Sequence, residues 1–192
     1  KDDKGLIEEL MIKSGKFEHI LENMENHRVQ IIYTQIDRDA NNRADFINYR
    51  FRVDPDEYFY PASSIKMPMA ALALEKVNDL NIKGLTRFSE MKIDSAYSGQ
   101  TPAVYDSSSQ SGKPSLAHYI KKIFLVSDND AFNRLYEFVG QEEANERLHK
   151  KGYQDVRITH RLSIALTPEE NRCTNPMSFY DADSMVYHQG LI

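Results

Sequence analysis

Between Ser63 and Leu80 the residues Ala70, Ala73, Leu74, Val77 and Leu80 recur at i, i+3, i+4, i+7 and beyond, the spacing of one helical face. A helix that apolar has to be buried, so the rest of the chain must supply other helices or a sheet to cover it. Yet the run is entered through "YPASSIKMP", which puts two serines and a lysine at the mouth of an apolar segment. If the helix starts at or just before Ser63, then Ser63 and Lys66 lie three apart on one face of its first turn. The amine then reaches the hydroxyl.

Two readings of this pair stand side by side. In one, Ser63 caps the helix and Lys66 lays its stem along apolar surface with its head in water. In the other, Ser63 is a nucleophile and Lys66 its base. The second requires a neutral amine, so the lysine pKa must fall from ~10.4 toward ~7, a cost of about 4 kcal/mol. A helix dipole supplies at most ~2 kcal/mol. Burial supplies up to ~3–5 pK units, and Ile65, Met67, Met69 and Leu72 promise an apolar setting. Hydrogen-bonding neighbours would instead keep the lysine charged, and the two outcomes stay open on sequence. The helix start also offers N–H groups suited to an oxyanion. Pro68 predicts a local distortion about one turn in.

The segment before this helix is built differently. Residues 6–26 carry Phe17, Ile20, Leu21 and Met24 at helical spacing, and "RVQIIYTQID" and "FINYRFRV" then alternate around the turn chemistry of "DRDANNRAD". One or two helices and a β-hairpin follow from that pattern. Asp37, Asp39 and Asn41 faintly resemble a calcium loop, but Asn42 and Asn48 stand where such a loop needs Gly and Glu. After Gly84 the chain turns polar and irregular as far as "YDSSSQSGKP". Helices are expected after Ser115, through Phe132, Leu135, Tyr136 and Val139 to Gly140, and over "QEEANERLHKKG". Residues 160–175 read as a long loop, and Asn175-Pro176 as the start of a last helix.

Composition narrows the partners. At 192 residues, 41% hydrophobic and 28% charged, the chain is an ordinary globular one with a net charge of −5, which disfavours nucleic acid and anionic lipid. No apolar segment approaches the ~20 residues of a membrane span. Its one cysteine, Cys173, excludes an internal disulfide, and the six histidines show no metal spacing.

A second motif turns the opening pair into a pattern. Ser127-Asp128-Asn129, inside "FLVSDNDAFNRLYEFVG", sits between two amphipathic helices, where a tight turn projects side chains into a cleft. Ser63-x-x-Lys66 at the start of a buried helix, followed by this triplet, resembles the class A β-lactamase and penicillin-binding-protein superfamily. The likeness extends over the hairpin and an "ENRCTNP" segment similar to the exit of that family's omega loop. It implies an α/β, β-lactamase-like (DD-peptidase-like) fold. Residues 1–60 would contribute a helix and hairpin to the α/β domain, and 61–192 a mostly helical part. Further strands, from a continuing chain or a second one, would complete the sheet.

The resemblance implies Ser63 as the acylated nucleophile, Lys66 as its base or proton relay, and Ser127 as proton donor to the departing nitrogen. Asn129 would bind the substrate's amide, Asp128 would brace the turn, and Tyr97 or Tyr105 would stand at the cleft mouth. The substrate would be a small molecule or peptide, either an amide (a β-lactam or cell-wall-type peptide) or an ester, attacked without metal or cofactor. An opening "KDDKG" in place of Met adds an expectation of a periplasmic or otherwise extracytoplasmic protein. Two departures stand out. The family's deacylating glutamate follows shortly after an arginine in the omega loop, whereas Leu162 and Ser163 follow Arg161, and Glu169 and Glu170 come later. The Lys-Thr/Ser-Gly strand motif is missing, the only such triplet being Lys13-Ser14-Gly15 near the N-terminus. Efficient turnover of a class A kind is therefore not expected.

Overall fold

A computed structural model describes residues 5–192, which form two compact units divided between Tyr60 and Pro61. The first contains α1 (Leu6–Ser14), α2 (Glu18–Leu21) and the antiparallel hairpin β1 (Ile31–Arg38) and β2 (Ala44–Phe51), in register from Ile31 opposite Phe51 to Arg38 opposite Ala44. Its small core is Ile7, Met11 and Phe51, with Ile20, Leu21, Met24, Val29 and Tyr49 packed around them. The hairpin turn consumes the acidic side chain that resembled a calcium ligand. Asp39 Oδ1 accepts the backbone N–H groups of Asn41 (2.8 Å) and Arg43 (2.9 Å), which holds Asn42 in a left-handed conformation. Lys13-Ser14-Gly15 closes α1, with Gly15 at φ +63° as the left-handed cap.

The second unit begins with a 3-10 turn, Ala62–Ile65, that runs directly into α3 (Lys66–Leu80). Pro68 thus lies in the first turn of α3, where its missing N–H costs no α-helical bond, and α3 runs unbroken from Lys66 to Leu80 without the distortion expected there. Met69, Ala70, Leu72, Ala73 and Val77 are buried, so the apolar face predicted for this helix is its core face, with Leu74 half-buried at its margin. Next come α4 (Leu116–Val126), α5 (Asn129–Val139) and α6 (Gln141–Lys150). Every residue of α5 from Ala131 to Val139 is buried. A helix buried on all sides is the centre of its unit, and both α3 and α4 pack against α5. The core they enclose includes Tyr119, Phe132, Leu135, Tyr136 and Phe138.

Three sequence expectations give way here. The polar stretch after Gly84 contains a strand, β3 (Glu90–Ile93), and the expected last helix after Asn175-Pro176 is a hairpin, β4 (Met177–Asp181) and β5 (Ser184–Gln189). They form one antiparallel sheet in the order β3-β4-β5, with Met91 opposite Phe179 and Ile93 opposite Met177. Asn175 does not cap a helix. Its side-chain amide donates to the carbonyls of Asp94 (2.8 Å) and Thr101 (3.1 Å), while the Pro176 carbonyl accepts the Asp94 N–H, so the chain is already extended when it reaches Met177. Pairing with β3 outweighs a local helix-start signal. Thirdly, the long loop over 160–175 contains a short helix, α7 (Pro168–Arg172), started by a reciprocal capping box between Thr167 and Glu170.

Ser89-Glu90-Met91-Lys92 repeats the Ser-x-x-Lys spacing but leads into β3, not a helix. Ser89 Oγ accepts from the Thr86 N–H (2.9 Å) and donates to the Gly84 carbonyl, and Lys92 pairs with Asp94 (3.0 Å). The spacing there is incidental. Among the described residues no helix is long and apolar enough to cross a membrane.

Candidate active site

The packing of α3 on α5 brings the start of each helix to one place, because Lys66 is the first residue of α3 and Asn129 the first of α5. Lys66 is only 2% exposed, and its Nζ lies 3.3 Å from Ser63 Oγ, 3.0 Å from Ser127 Oγ, 2.6 Å from Asn129 Oδ1 and 2.5 Å from the Ser127 carbonyl oxygen. The four site residues named by sequence therefore meet around one nitrogen, across 61 positions of chain between Lys66 and Ser127. The two adjacent serines are also told apart. Ser64 turns its hydroxyl back to the Pro61 carbonyl (2.6 Å), whereas Ser63 is solvent-exposed and faces the lysine.

The chemistry of these partners decides what Lys66 does with its protons. Asn129 Oδ1 and the Ser127 carbonyl are pure acceptors, and they make the two shortest contacts. An amine that donates one N–H to each keeps its lone pair for a hydroxyl, and the Ser63 and Ser127 hydroxyls are the two within reach. Burial lowers the Lys66 pKa from its ordinary value, and the nearby negative charge of Asp128 opposes part of that. No carboxylate makes an ion pair with Lys66 among the described residues, which is why burial prevails.

Asp128 itself is fixed as the N-cap of α5. Its Oδ1 accepts the Ala131 N–H (2.8 Å) and its Oδ2 lies 3.4 Å from Lys122 Nζ. Lys122 also reaches Asp106 Oδ2 (3.0 Å), which the His118 ring shares at the same distance. Burial pushes the Asp106 carboxyl up, but the Ser108 hydroxyl and N–H, with Lys122 and His118, outweigh it and hold it well below the usual carboxylate range. Ser127, between α4 and α5, adopts φ +53°. Ala62 and Ser163 are also left-handed, so three of the eight non-glycine residues of positive φ among the described residues border the Lys66 cluster. Such backbone costs of order 1–3 kcal/mol apiece and persists where its surroundings dictate it.

Ser163 enters the cluster from the loop after α6. Its Oγ accepts a 2.6 Å bond from Asn129 Nδ2, so Asn129 joins Lys66 on one side to Ser163 on the other. Two anchors hold this loop. Asn133 takes the Leu162 N–H on Oδ1 (2.7 Å) and gives Nδ2 to the Leu162 carbonyl (3.0 Å). The Arg161 guanidinium bonds Glu137 Oε1 (3.1 Å) and the carbonyls of Glu170 (3.0 Å) and Cys173 (2.8 Å). Glu137 is shared with Arg134 at 3.1 Å; both arginines and the glutamate are buried.

The two glutamates of the loop are bonded to other groups, although Glu170 lines one cavity with Tyr97, Asp130 and Asn133. Glu170 is bound to the Thr167 N–H in the capping box, and Glu169 points to Arg172 (3.5 Å). Neither is hydrogen-bonded to Ser63, Lys66, Ser127 or Asn129. Of the two tyrosines considered for the cleft mouth, Tyr97 lines a cavity of about 110 Å³ with Asp130, Asn133 and Ile164; Tyr105 is 71% exposed and lies outside it. Cys173 is half-buried.

Asn133, Glu137 and Lys122 are parts of this arrangement that sequence reasoning did not single out. A signal existed for the first two: they are polar residues four apart inside "NDAFNRLYEFV", where the apolar pattern puts a core face. Lys122 lies amid the apolar residues of α4 and left no comparable trace.

A family model described as the beta-lactamase enzyme family matches residues 16–187. No match was found among curated proteins. The matched span takes in the hairpin, the entry to α3, the turn between α4 and α5 and the Arg161 loop. The chain therefore belongs to the β-lactamase enzyme family, a hydrolase family built on the mixed α/β architecture seen here.

Proposed function

We propose that the protein is a serine hydrolase that attacks a β-lactam or a D-Ala-type peptide amide through an acyl-enzyme on Ser63. The observation that carries this reading is the convergence of Ser63, Ser127 and Asn129 on the buried Lys66 amine. Neutral Lys66 removes the Ser63 proton as Oγ bonds the carbonyl carbon. The tetrahedral intermediate collapses with cleavage of the C–N bond, and the departing nitrogen takes the Ser127 hydroxyl proton. Lys66, now an ammonium, restores that proton to Ser127. The ester on Ser63 and a free amine result, and hydrolysis of the ester then consumes one water. Asn129 orients the substrate amide. The reading has the protein act outside the cytoplasm, where such peptides and drugs are met; cell fractionation checks this.

A second reading, a penicillin-binding or sensor-like protein with slow turnover, is favoured by the polar but uncharged side chain of Ser163 at the cluster and by the engagement of Glu170 with Thr167 and of Glu169 with Arg172. Without a carboxylate to activate water the ester persists. Incubation with a fluorescent penicillin, followed by intact mass, is expected to show one adduct on Ser63 and none on Ser63→Ala. An unmodified wild-type protein overturns the acyl-enzyme. Steady-state hydrolysis of a chromogenic lactam well above the Ser63→Ala background rules out the slow-turnover reading.

A further inference from the structure

The Lys66 cluster is backed by a second group of charges that the steps above do not use. Lys66 Nζ is bonded to Ser127 and Asn129, the residues on either side of Asp128, and the charge of the Asp128 carboxylate opposes the effect of burial on the amine. On its far side Asp128 Oδ2 faces Lys122 Nζ at 3.4 Å, and Lys122 in turn meets Asp106 at 3.0 Å. The charged groups facing Lys122 are thus Asp128 from the start of α5 and Asp106 from the loop before α4. His118, one turn earlier on α4, shares Asp106. Lys122 is 22% exposed, Asp128 24% and Asp106 16%, so bulk water screens these pairs only in part.

We propose that Lys122 is a positioning residue of the acylation site: held between Asp106 and Asp128, its ammonium offsets the Asp128 charge that Lys66 feels and so governs how readily Lys66 gives up its proton. The inference rests on the Ser63 acyl-enzyme reading. Two effects of Lys122 act in the same direction. It neutralises Asp128, which otherwise favours the Lys66 ammonium, and its own positive charge disfavours a second cation nearby. Asp106 acts the opposite way, because it draws Lys122 toward itself and away from Asp128.

The opposed signs make the test. Full-chain protein is compared as wild type, Lys122→Gln, Lys122→Arg and Asp106→Asn, and the rate of Ser63 labelling by fluorescent penicillin is followed across the neutral and alkaline range. Lys122→Gln is expected to move the rising limb of the profile up by roughly half a pH unit, about a threefold loss of rate at a fixed pH below the midpoint. Asp106→Asn is expected to move it down, and Lys122→Arg to restore the wild-type midpoint. The same shifts are expected in the titration of the Lys66 ε-carbon, read by NMR of 13C-lysine protein. That readout does not depend on acylation, so wild-type protein that fails to label counts against the Ser63 reading alone. Because His118 shares Asp106, the Lys122→Gln shift must persist in a His118→Gln background. Lys122→Gln and Asp106→Asn shifting in the same direction, or lowering the rate with no change of midpoint and of the Lys66 titration, overturns the proposal and leaves Lys122 a structural pair.

Discussion

Replacement of Lys66 by Met separates catalysis from stability at the centre of the cluster. Met keeps the unbranched stem that packs beneath the entry to α3 and removes the ammonium. In the folded protein Lys66 is 2% exposed, and its nitrogen has no carboxylate ion-pair partner among the described residues, donates to the Asn129 amide oxygen and the Ser127 carbonyl oxygen, and has the Ser63 and Ser127 hydroxyls within reach. Hydrogen bonds from a charged donor contribute ~1.5–3 kcal/mol each, but desolvation of a buried ion costs several kcal/mol, so the two nearly cancel. Ser127 is exposed and Asn129 half-buried, so water can reach the acceptors left behind. The expected change in unfolding free energy is therefore within about 1 kcal/mol of zero. Loss of the base acts on the rate alone, by roughly 10²–10⁴-fold or ~3–5 kcal/mol of barrier. Urea unfolding gives the first quantity, and the rate of fluorescent-penicillin labelling by intact mass gives the second. Labelling of Lys66→Met within about tenfold of wild type would refute the assignment of the amine as base, whatever its stability.

Asn133→Leu strands the Leu162 N–H and carbonyl, and an unfolding free energy lower by about 2–4 kcal/mol is expected from urea titration; hydrogen exchange at the Leu162 amide should accelerate. Ser163→Glu places a carboxylate beside Asn129, two hydrogen bonds from Lys66, and is expected to convert persistent Ser63 labelling into measurable steady-state lactam hydrolysis. The Asp106 carboxyl sits below its unfolded value near ~3.9, so its charged form stabilises the fold above about pH 4 and that contribution fades as the pH falls further. Asp106→Asn should thus be less stable by about 2 kcal/mol at neutral pH and approach wild type in strong acid, as followed by urea unfolding at each pH.

The residues legible in sequence were those whose geometry is local. Ser63 and Lys66 are one turn apart at a helix entry, and Ser127 to Asn129 occupy a turn between two helices whose apolar spacing is readable in sequence; each group announces its own shape. What lay beyond reach was the return of distant chain. Nothing in "SEMKI" says that it pairs with "MSFYD", and the Asn-Pro before Met177 argues locally for a helix until tertiary hydrogen bonds claim Asn175. The short helix α7 was legible in principle, since Thr167-Pro168-x-Glu170 is a capping box with proline in its first turn, but a loop expectation masked it. The anchoring of Arg161 by Glu137 needed burial to be seen, because an arginine and a glutamate 24 positions apart look like two solvated charges.

Asn129, Asn133 and Glu137 follow one another at intervals of four along α5, so a single straight rod grips the lysine, the peptide group of Leu162 and the guanidinium of Arg161 at successive turns. The reacting groups and the loop beside them are therefore not independent variables. A core substitution at Phe132 or Leu135 that slides or rotates this rod by a fraction of an ångström displaces all three grips together, so remote repacking retunes base and loop as one.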